Sequence, residues 1–193
     1  VLGMYGNGCD YYKLKGIVEE NLSACGISDY DVEPKKDAPA FHPGRTGIFM
    51  KDGKMLGVCG EVHPDVLDNY GIGTRAYIAM LDVEYLFEKA DLVRVYKPLP
   101  KFPATTRDLA FVVDADMPVL KIEKAISAAT GKILEKIELF DVYQGAQVGE
   151  NKKSVAFNLR FRSAEHTLTD EECNGAVNKA MKAAEALGAI LRS

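Results

Sequence analysis

The chain has 193 residues, 47% of them apolar and 27% charged, with a net charge of −4. That composition suits a globular protein with one large or two small cores, of which two are expected. No apolar run approaches the roughly 18 to 20 residues of a membrane span, and the first residues carry no basic segment leading into an apolar one.

Four cysteines (Cys9, Cys25, Cys59, Cys173) are widely spaced without a C-x-x-C pair, so neither a disulfide framework nor a zinc site is expected. A reducing compartment, the cytoplasm, is the expected location. The opening Val-Leu-Gly reads as the middle of a domain, so a piece of a longer protein is expected. From Lys97 onward there are 14 Lys and Arg against 13 Asp and Glu, and before it 10 against 15. The C-terminal half is the less acidic one, which permits an anionic partner.

In the first half, Tyr11, Leu14, Ile17, Val18, Leu22 and Cys25 form one apolar helical face behind Asp10, and Gly26 ends the helix. A short strand at 29–33, a proline-bearing loop at 34–43, and strands at 47–50 and 55–62 follow. Asp52-Gly53 signals the hairpin between the last two. A helical turn at 64–70, a strand at 76–83 and a helix at 84–90 complete this half.

Phe41-His42-Pro43-Gly44-Arg45 and Gly60-Glu61-Val62-His63-Pro64, with Cys59, could be drawn as a metal cluster. Their spacing matches no zinc pattern, and each histidine reads as a turn residue. No metal ligand is assigned. Gly71-Ile72-Gly73-Thr74-Arg75 leads toward a strand, whereas phosphate-binding glycine loops open helices, so it reads as a turn.

Pro98, Pro100 and Pro103 predict an extended linker over 96–103 between a unit at 1–95 and one at 104–193. The second unit reads strand 108–113, helix from Asp116 and Pro118 to Gly131, strand 133–143, turn 144–151 and strand 153–162. A helix behind the Thr169-Asp170-Glu171-Glu172 capping box and a strand at 189–191 follow. The order β-α-β-β-α-β predicts a ferredoxin-like sandwich with both helices on one face; the fold class is α+β.

Alternation in the third of these strands sets Val155, Phe157, Leu159 and Phe161 toward the helices. Ser154, Ala156, Asn158, Arg160 and Arg162 then stand on the open face, with Lys152 and Lys153 at its edge. Such a face can hold single-stranded RNA by charge and stacking; it can equally be a solvated basic face. Tyr143 is a stacking candidate or a packing residue. Arg107-Asp108 is read as an ion pair fixing the joint beside Phe102, with a phosphate contact for Arg107 as the other reading.

Several stretches resemble the ferredoxin-fold anticodon-binding domain of the β chain of bacterial phenylalanyl-tRNA synthetase. They are Phe102-Pro103-Ala104-x-x-Arg107-Asp108-Leu109-Ala110-Phe111, Leu139-Phe140-Asp141-Val142-Tyr143-x-Gly145, Lys153-Ser154-Val155-Ala156 and Thr167-Leu168-Thr169-Asp170-Glu171-Glu172. The first half, through Asp10-Tyr11-Tyr12, Phe41-His42-Pro43-Gly44-Arg45 and Gly57 to Pro64, is similar to the end of that chain's class II catalytic-like domain.

The resemblance implies an α2β2 ligase charging tRNA(Phe) with ATP and Mg²⁺, whose active site lies in the α chain. No residue here would be catalytic, and no cofactor would sit in these residues. The first unit would be scaffold and subunit contact, and the second would bind the anticodon stem-loop through the open-face residues. Its near-neutral charge implies weak RNA binding by this chain alone. A small-molecule-binding regulatory domain on the same sandwich is the alternative, and an acylphosphatase-type enzyme lacks its anion loop after the first strand.

Overall fold

A computed structural model describes residues 1–96 and 98–192 and divides into two compact units, Val1–Tyr96 and Lys97–Ser193. Lys97, within the expected linker, lies outside the described residues.

The first unit is a five-stranded antiparallel sheet in the order β1-β5-β4-β3-β2, with β1 Leu2–Tyr5, β2 Asp31–Pro34, β3 Phe41–Lys51, β4 Lys54–Val62 and β5 Ala76–Leu81. Helix α1, Tyr11–Ala24, starts where the Asp10 carboxylate accepts the Lys13 N–H at 2.7 Å. Its Leu14, Val18 and Leu22 bury against Phe49, Leu56, Cys59 and Ala79. Two short helices follow, α2 Pro64–Asn69 and α3 Val83–Lys89.

The β3–β4 hairpin turns on Asp52 and Gly53, both at positive φ (48° and 76°), the pattern of a two-residue type I′ turn. Two departures from the sequence reading stand out. Strand β1 alternates, with Leu2 and Met4 toward the core, but its four residues are too few to stand out; it forms by pairing with β5. Strand β3 begins at Phe41, inside the expected loop, and crosses Pro43-Gly44 by a register shift between Phe41 and Thr46.

The second unit is a four-stranded sheet in the order β7-β8-β6-β9, with β6 Thr105–Asp114, β7 Leu134–Tyr143, β8 Lys152–Phe161 and β9 Ile190–Leu191. Every pairing is antiparallel. Helices α4, Val119–Thr130, and α5, Asp170–Glu185, cover one face, where Ile122, Ile126, Ala176 and Ala180 meet Phe111, Phe157, Leu159 and Phe161. This βαββαβ order is the ferredoxin-like sandwich expected from the sequence. Asp116 does not cap α4: the helix begins after Pro118, which supplies no side-chain cap. The Thr169–Glu172 capping box at α5 is complete.

Of the three helices that end in an expected glycine, α5 and α1 close the same way. Gly188, at φ 84°, donates to Glu185 O, and Ala189 donates to Ala184 O at 3.2 Å. Gly26, at φ 75°, donates to Ser23 O, and Ile27 donates to Leu22 O at 2.9 Å. Gly26 carries a second constraint, because a Cβ there would lie 1.9 Å from the Asp91 carbonyl oxygen. Gly71 also has positive φ, 66°, but faces open space.

Gly26→Ala is therefore expected to lower the unfolding free energy of the first unit, read by urea titration, well beyond the roughly 1–2 kcal/mol of a left-handed alanine, and Gly71→Ala by no more than that. Equal losses at the two positions would contradict the close-approach argument. A second expectation concerns acid. The Glu172 carboxyl is held below its usual value, first by the Thr169 N–H and then by His166. A depressed carboxylate stabilises above its unfolded pKa, and that contribution is lost as pH falls through the lower folded value. Glu172→Gln should flatten the acid limb of the stability curve below about pH 4.3, the unperturbed value; an unchanged limb would refute this.

Candidate nucleic-acid interface

The helix-free face of the second unit is set by one register. Arg160 stands opposite Thr106 and Lys136, Asn158 opposite Asp108 and Glu138, and Ser154 opposite Val112 and Tyr143. Residues directly opposite share a face, so these side chains form rows across β6, β8 and β7. The other set, Val155, Phe157, Leu159 and Phe161, is fully buried.

Tyr143 reaches the open face through an irregularity. Counting in twos from Leu139 would turn Tyr143 toward the helices. A register shift between Leu139 and Asp141 inserts Phe140 and reverses the alternation, bringing Asp141 opposite Ala156 and Tyr143 opposite Ser154. The Tyr143 phenol lies against Gly145, where a Cβ would be 2.5 Å from its hydroxyl. The ring remains 37% exposed.

Beside it stands a residue that sequence reasoning missed. Arg192 donates its backbone N–H to Ala110 O at 2.8 Å, extending past β9. Its Nη1 lies 3.3 Å from Ser154 Oγ, and its guanidinium carbon is 5.9 Å from the centre of the Tyr143 ring. Nothing local marks Arg192, because its place depends on β9 pairing with β6, 80 residues away by the Val112–Ile190 and Phe111–Leu191 register.

The other expected contact residues divide. Arg160 has no carboxylate hydrogen bond among the described residues. Its charge helps hold the Glu138 carboxyl below its usual value, after the Lys136 ammonium 2.6 Å away. Asn158 donates to Asp108 Oδ1 at 2.6 Å, and Lys152 pairs with Asp114 at 2.6 Å. Both therefore offer only their remaining hydrogen-bonding capacity.

Lys153 and Arg162 do not stand on the open face. Lys153 is in register with buried Val113, so alternation turns it to the helix-bearing side, where burial pushes its ammonium pKa down against the opposing pull of Asp116. Arg162 follows the last residue of β8 and is a brace. Its Nε donates to Glu135 Oε1 at 2.9 Å, its Nη1 donates to the Phe102 carbonyl, and its backbone N–H donates to Ile133 O at 2.8 Å.

The expected Arg107–Asp108 ion pair is not formed. Neighbours on a strand point to opposite faces. Arg107 meets Asp170 at the start of α5, at 3.4 Å, and Asp108 meets Asn158. Phe102 is tied through its carbonyl to Arg162 instead.

In the first unit the histidines serve turns. His42 Nδ1 accepts from Gly44 N at 3.1 Å, and His63 Nδ1 accepts from Asp65 N at 3.3 Å as the cap of α2. Cys59 is buried under α1 and its thiol pKa is pushed up to about 11, chiefly by burial. Glu61 is held by Arg45 Nη1, at 2.9 and 2.8 Å to its two oxygens. The Gly71–Arg75 turn leads into β5, so its N–H groups do not open a helix.

Comparison with known proteins adds the family. Residues 100–192 match the ferredoxin-fold anticodon binding domain, and residues 2–83 match the phenylalanyl tRNA synthetase beta chain CLM domain. The chain is 45% identical over 192 residues to the phenylalanine–tRNA ligase beta subunit of Clostridium acetobutylicum, covering 99% of this chain and 24% of that one. It is 46% identical over 193 residues to the subunit of Clostridium tetani, covering 100% of this chain and 24% of that one. For Symbiobacterium thermophilum the figures are 44% over 184 residues, 95% and 20%. The chain thus spans about a quarter of the length of the relatives it matches. With its two units matched in order and its length covered at this identity, the chain belongs to the phenylalanyl-tRNA synthetase β-chain family.

Proposed function

We propose that the chain is the part of a phenylalanine–tRNA ligase β subunit that holds the anticodon stem-loop of tRNA(Phe), supporting ATP-dependent charging with phenylalanine. The observation that carries this reading is the open face of the β6–β9 sheet, where Tyr143 and Arg192 come together at Ser154 from two different segments and Arg160 stands on the same face six residues further along β8. A guanidinium beside a half-exposed phenol gives a stacking surface with an adjacent charge, the combination suited to an unpaired base and its phosphate. Lys152 and Asn158 extend the row at lower charge.

The domains divide the work. Residues 104–193 read the RNA, residues 96–103 form the joint, braced at Phe102 by Arg162, and residues 1–95 are a class II synthetase-like segment serving as scaffold and contact for the α subunit of an α2β2 enzyme. ATP and Mg²⁺ belong to the whole enzyme. Among the described residues, the Gly71–Arg75 turn opens a strand and Glu61 is engaged by Arg45, so neither is offered as a site for them. No helix among the described residues is long and apolar enough to cross a membrane, and the proposed tRNA substrate supports a cytoplasmic location.

The test is Arg160→Ala with Arg192→Ala in the complete enzyme. Loss of two cationic contacts, at about 1.4 kcal/mol for a tenfold effect, is expected to raise KM for tRNA(Phe) by about tenfold or more and to reduce the salt slope of binding by about 1.4. Tyr143→Ala should add to this while Tyr143→Phe should not. Arg162→Ala should act on stability instead. An unchanged KM in a folded double variant would overturn the assignment of this face.

A further inference from the structure

A second concave site lies in the first unit, on the sheet face that carries α1 and beyond that helix's N-terminus. Its volume is about 630 Å³, within the range of about 300–1,000 Å³ that small-molecule sites occupy. Tyr11 and Tyr12 form one wall, Val32 and Pro34 of β2 a second, and Thr46, Gly47 and Tyr77 the floor.

The charged groups at this site are unevenly matched. Glu61 is only 3% exposed, and both its oxygens are taken by a single nitrogen of Arg45. Arg75 reaches the same carboxylate only at 3.7 Å through Nε. Two guanidiniums, each with five N–H donors, thus meet at one carboxylate, and their side chains are 43% and 67% exposed. Asp10 and Glu33 also line the cleft, so the donors are local and the cleft carries no net positive charge. A buried ion pair of this kind contributes little net stability, because desolvation offsets the attraction. It fixes the position of Arg45 and leaves donors turned to the opening.

The apolar side is equally shaped. The Tyr11 and Tyr12 rings meet edge to face, 5.4 Å apart at 78°, making an aromatic corner. Tyr12 is 77% exposed although it lines the cleft. Tyr11 fits because position 47 is glycine: a Cβ there would come within 2.5 Å of its hydroxyl. Burial pushes the Tyr11 pKa up to about 12, so the phenol stays neutral beside an anion. Asp10 and Glu33 stand among the lining residues, Asp10 already engaged as the helix cap.

We propose that this cleft binds a small carboxylate with a flat apolar body, its carboxylate forked by Arg45 and Arg75 and its body against the Tyr11–Tyr12 corner. Planar two-point pairing favours a carboxylate on guanidiniums, and the tyrosines favour a ring or a short branched chain. The inference is independent of the RNA reading, which concerns the other unit.

The experiment is a titration of the 193-residue chain, followed by amide chemical shifts, with phenylacetate as probe and benzylamine, benzyl alcohol and inorganic phosphate as comparisons. Phenylacetate is expected to bind saturably near about 1 mM, as its size permits, with shifts centred on Tyr12, Thr46 and Arg75. The three comparison compounds should bind at least about tenfold more weakly, each lacking the carboxylate or the ring. Arg75→Ala and Tyr12→Ala, both at exposed side chains, should each weaken phenylacetate by about fivefold or more while the rest of the spectrum is retained. Arg75→Lys should restore only part of the loss, because an ammonium cannot fork. Non-saturable shifts, equal binding of benzylamine or phosphate, or indifference to both alanine variants would overturn the proposal.

Discussion

Strand β8 is central to its sheet, flanked by β6 and β7, and its period-two pattern leaves little freedom. Four large side chains, Val155, Phe157, Leu159 and Phe161, are removed from water entirely beneath α4 and α5. At roughly 1.5–3 kcal/mol for each such side chain, a slip of one residue would expose all four and turn Arg160 and Asn158 into the core. The register of β8 is therefore fixed by burial, and the composition of the open face follows from it. The sheet presents Arg160 outward because Leu159 and Phe161 must go inward.

Two features bring together on that face the side chains on which the proposed site rests. The insertion at Phe140 reverses the pleat of β7 and moves Tyr143 from the helix side to the open side. The two-residue strand β9 then carries Arg192 across β6 to within reach of Ser154 and the Tyr143 ring. Around them the remaining charges are mostly paired with one another: Lys136 with Glu138, Lys152 with Asp114, Arg162 with Glu135. Such pairing leaves a face of low net charge with a small cationic and aromatic centre. That suits recognition of a loop held in place by other parts of a large enzyme better than capture of free RNA.

Much of this was legible in the sequence because it rests on local rules. The βαββαβ order, the capping box at Thr169, the glycines that end α1 and α5, and the Asp52-Gly53 hairpin each declare themselves within a few residues. The inward set of β8 does the same. What could not be read depends on contacts distant in sequence. Alternation carried past the end of β8 puts Arg162 on the open face, and Lys153 reads as an edge residue although it shares the parity of inward Val155. Desolvation and the register with Val113 claim Lys153, and Glu135 with the Phe102 carbonyl claims Arg162. Arg192 was invisible because a two-residue strand has no pattern. The Arg107–Asp108 pair failed for a reason the sequence did contain: adjacent residues on a strand point apart.

The central claim, that the helix-free face is the RNA-binding surface, is tested most directly by amide chemical-shift mapping of this chain with a stem-loop carrying the phenylalanine anticodon. The account predicts perturbations gathered on Tyr143, Ser154, Asn158, Arg160 and Arg192, with α4 and α5 silent. Perturbations concentrated on α4 and α5, with those five residues unmoved, would contradict it.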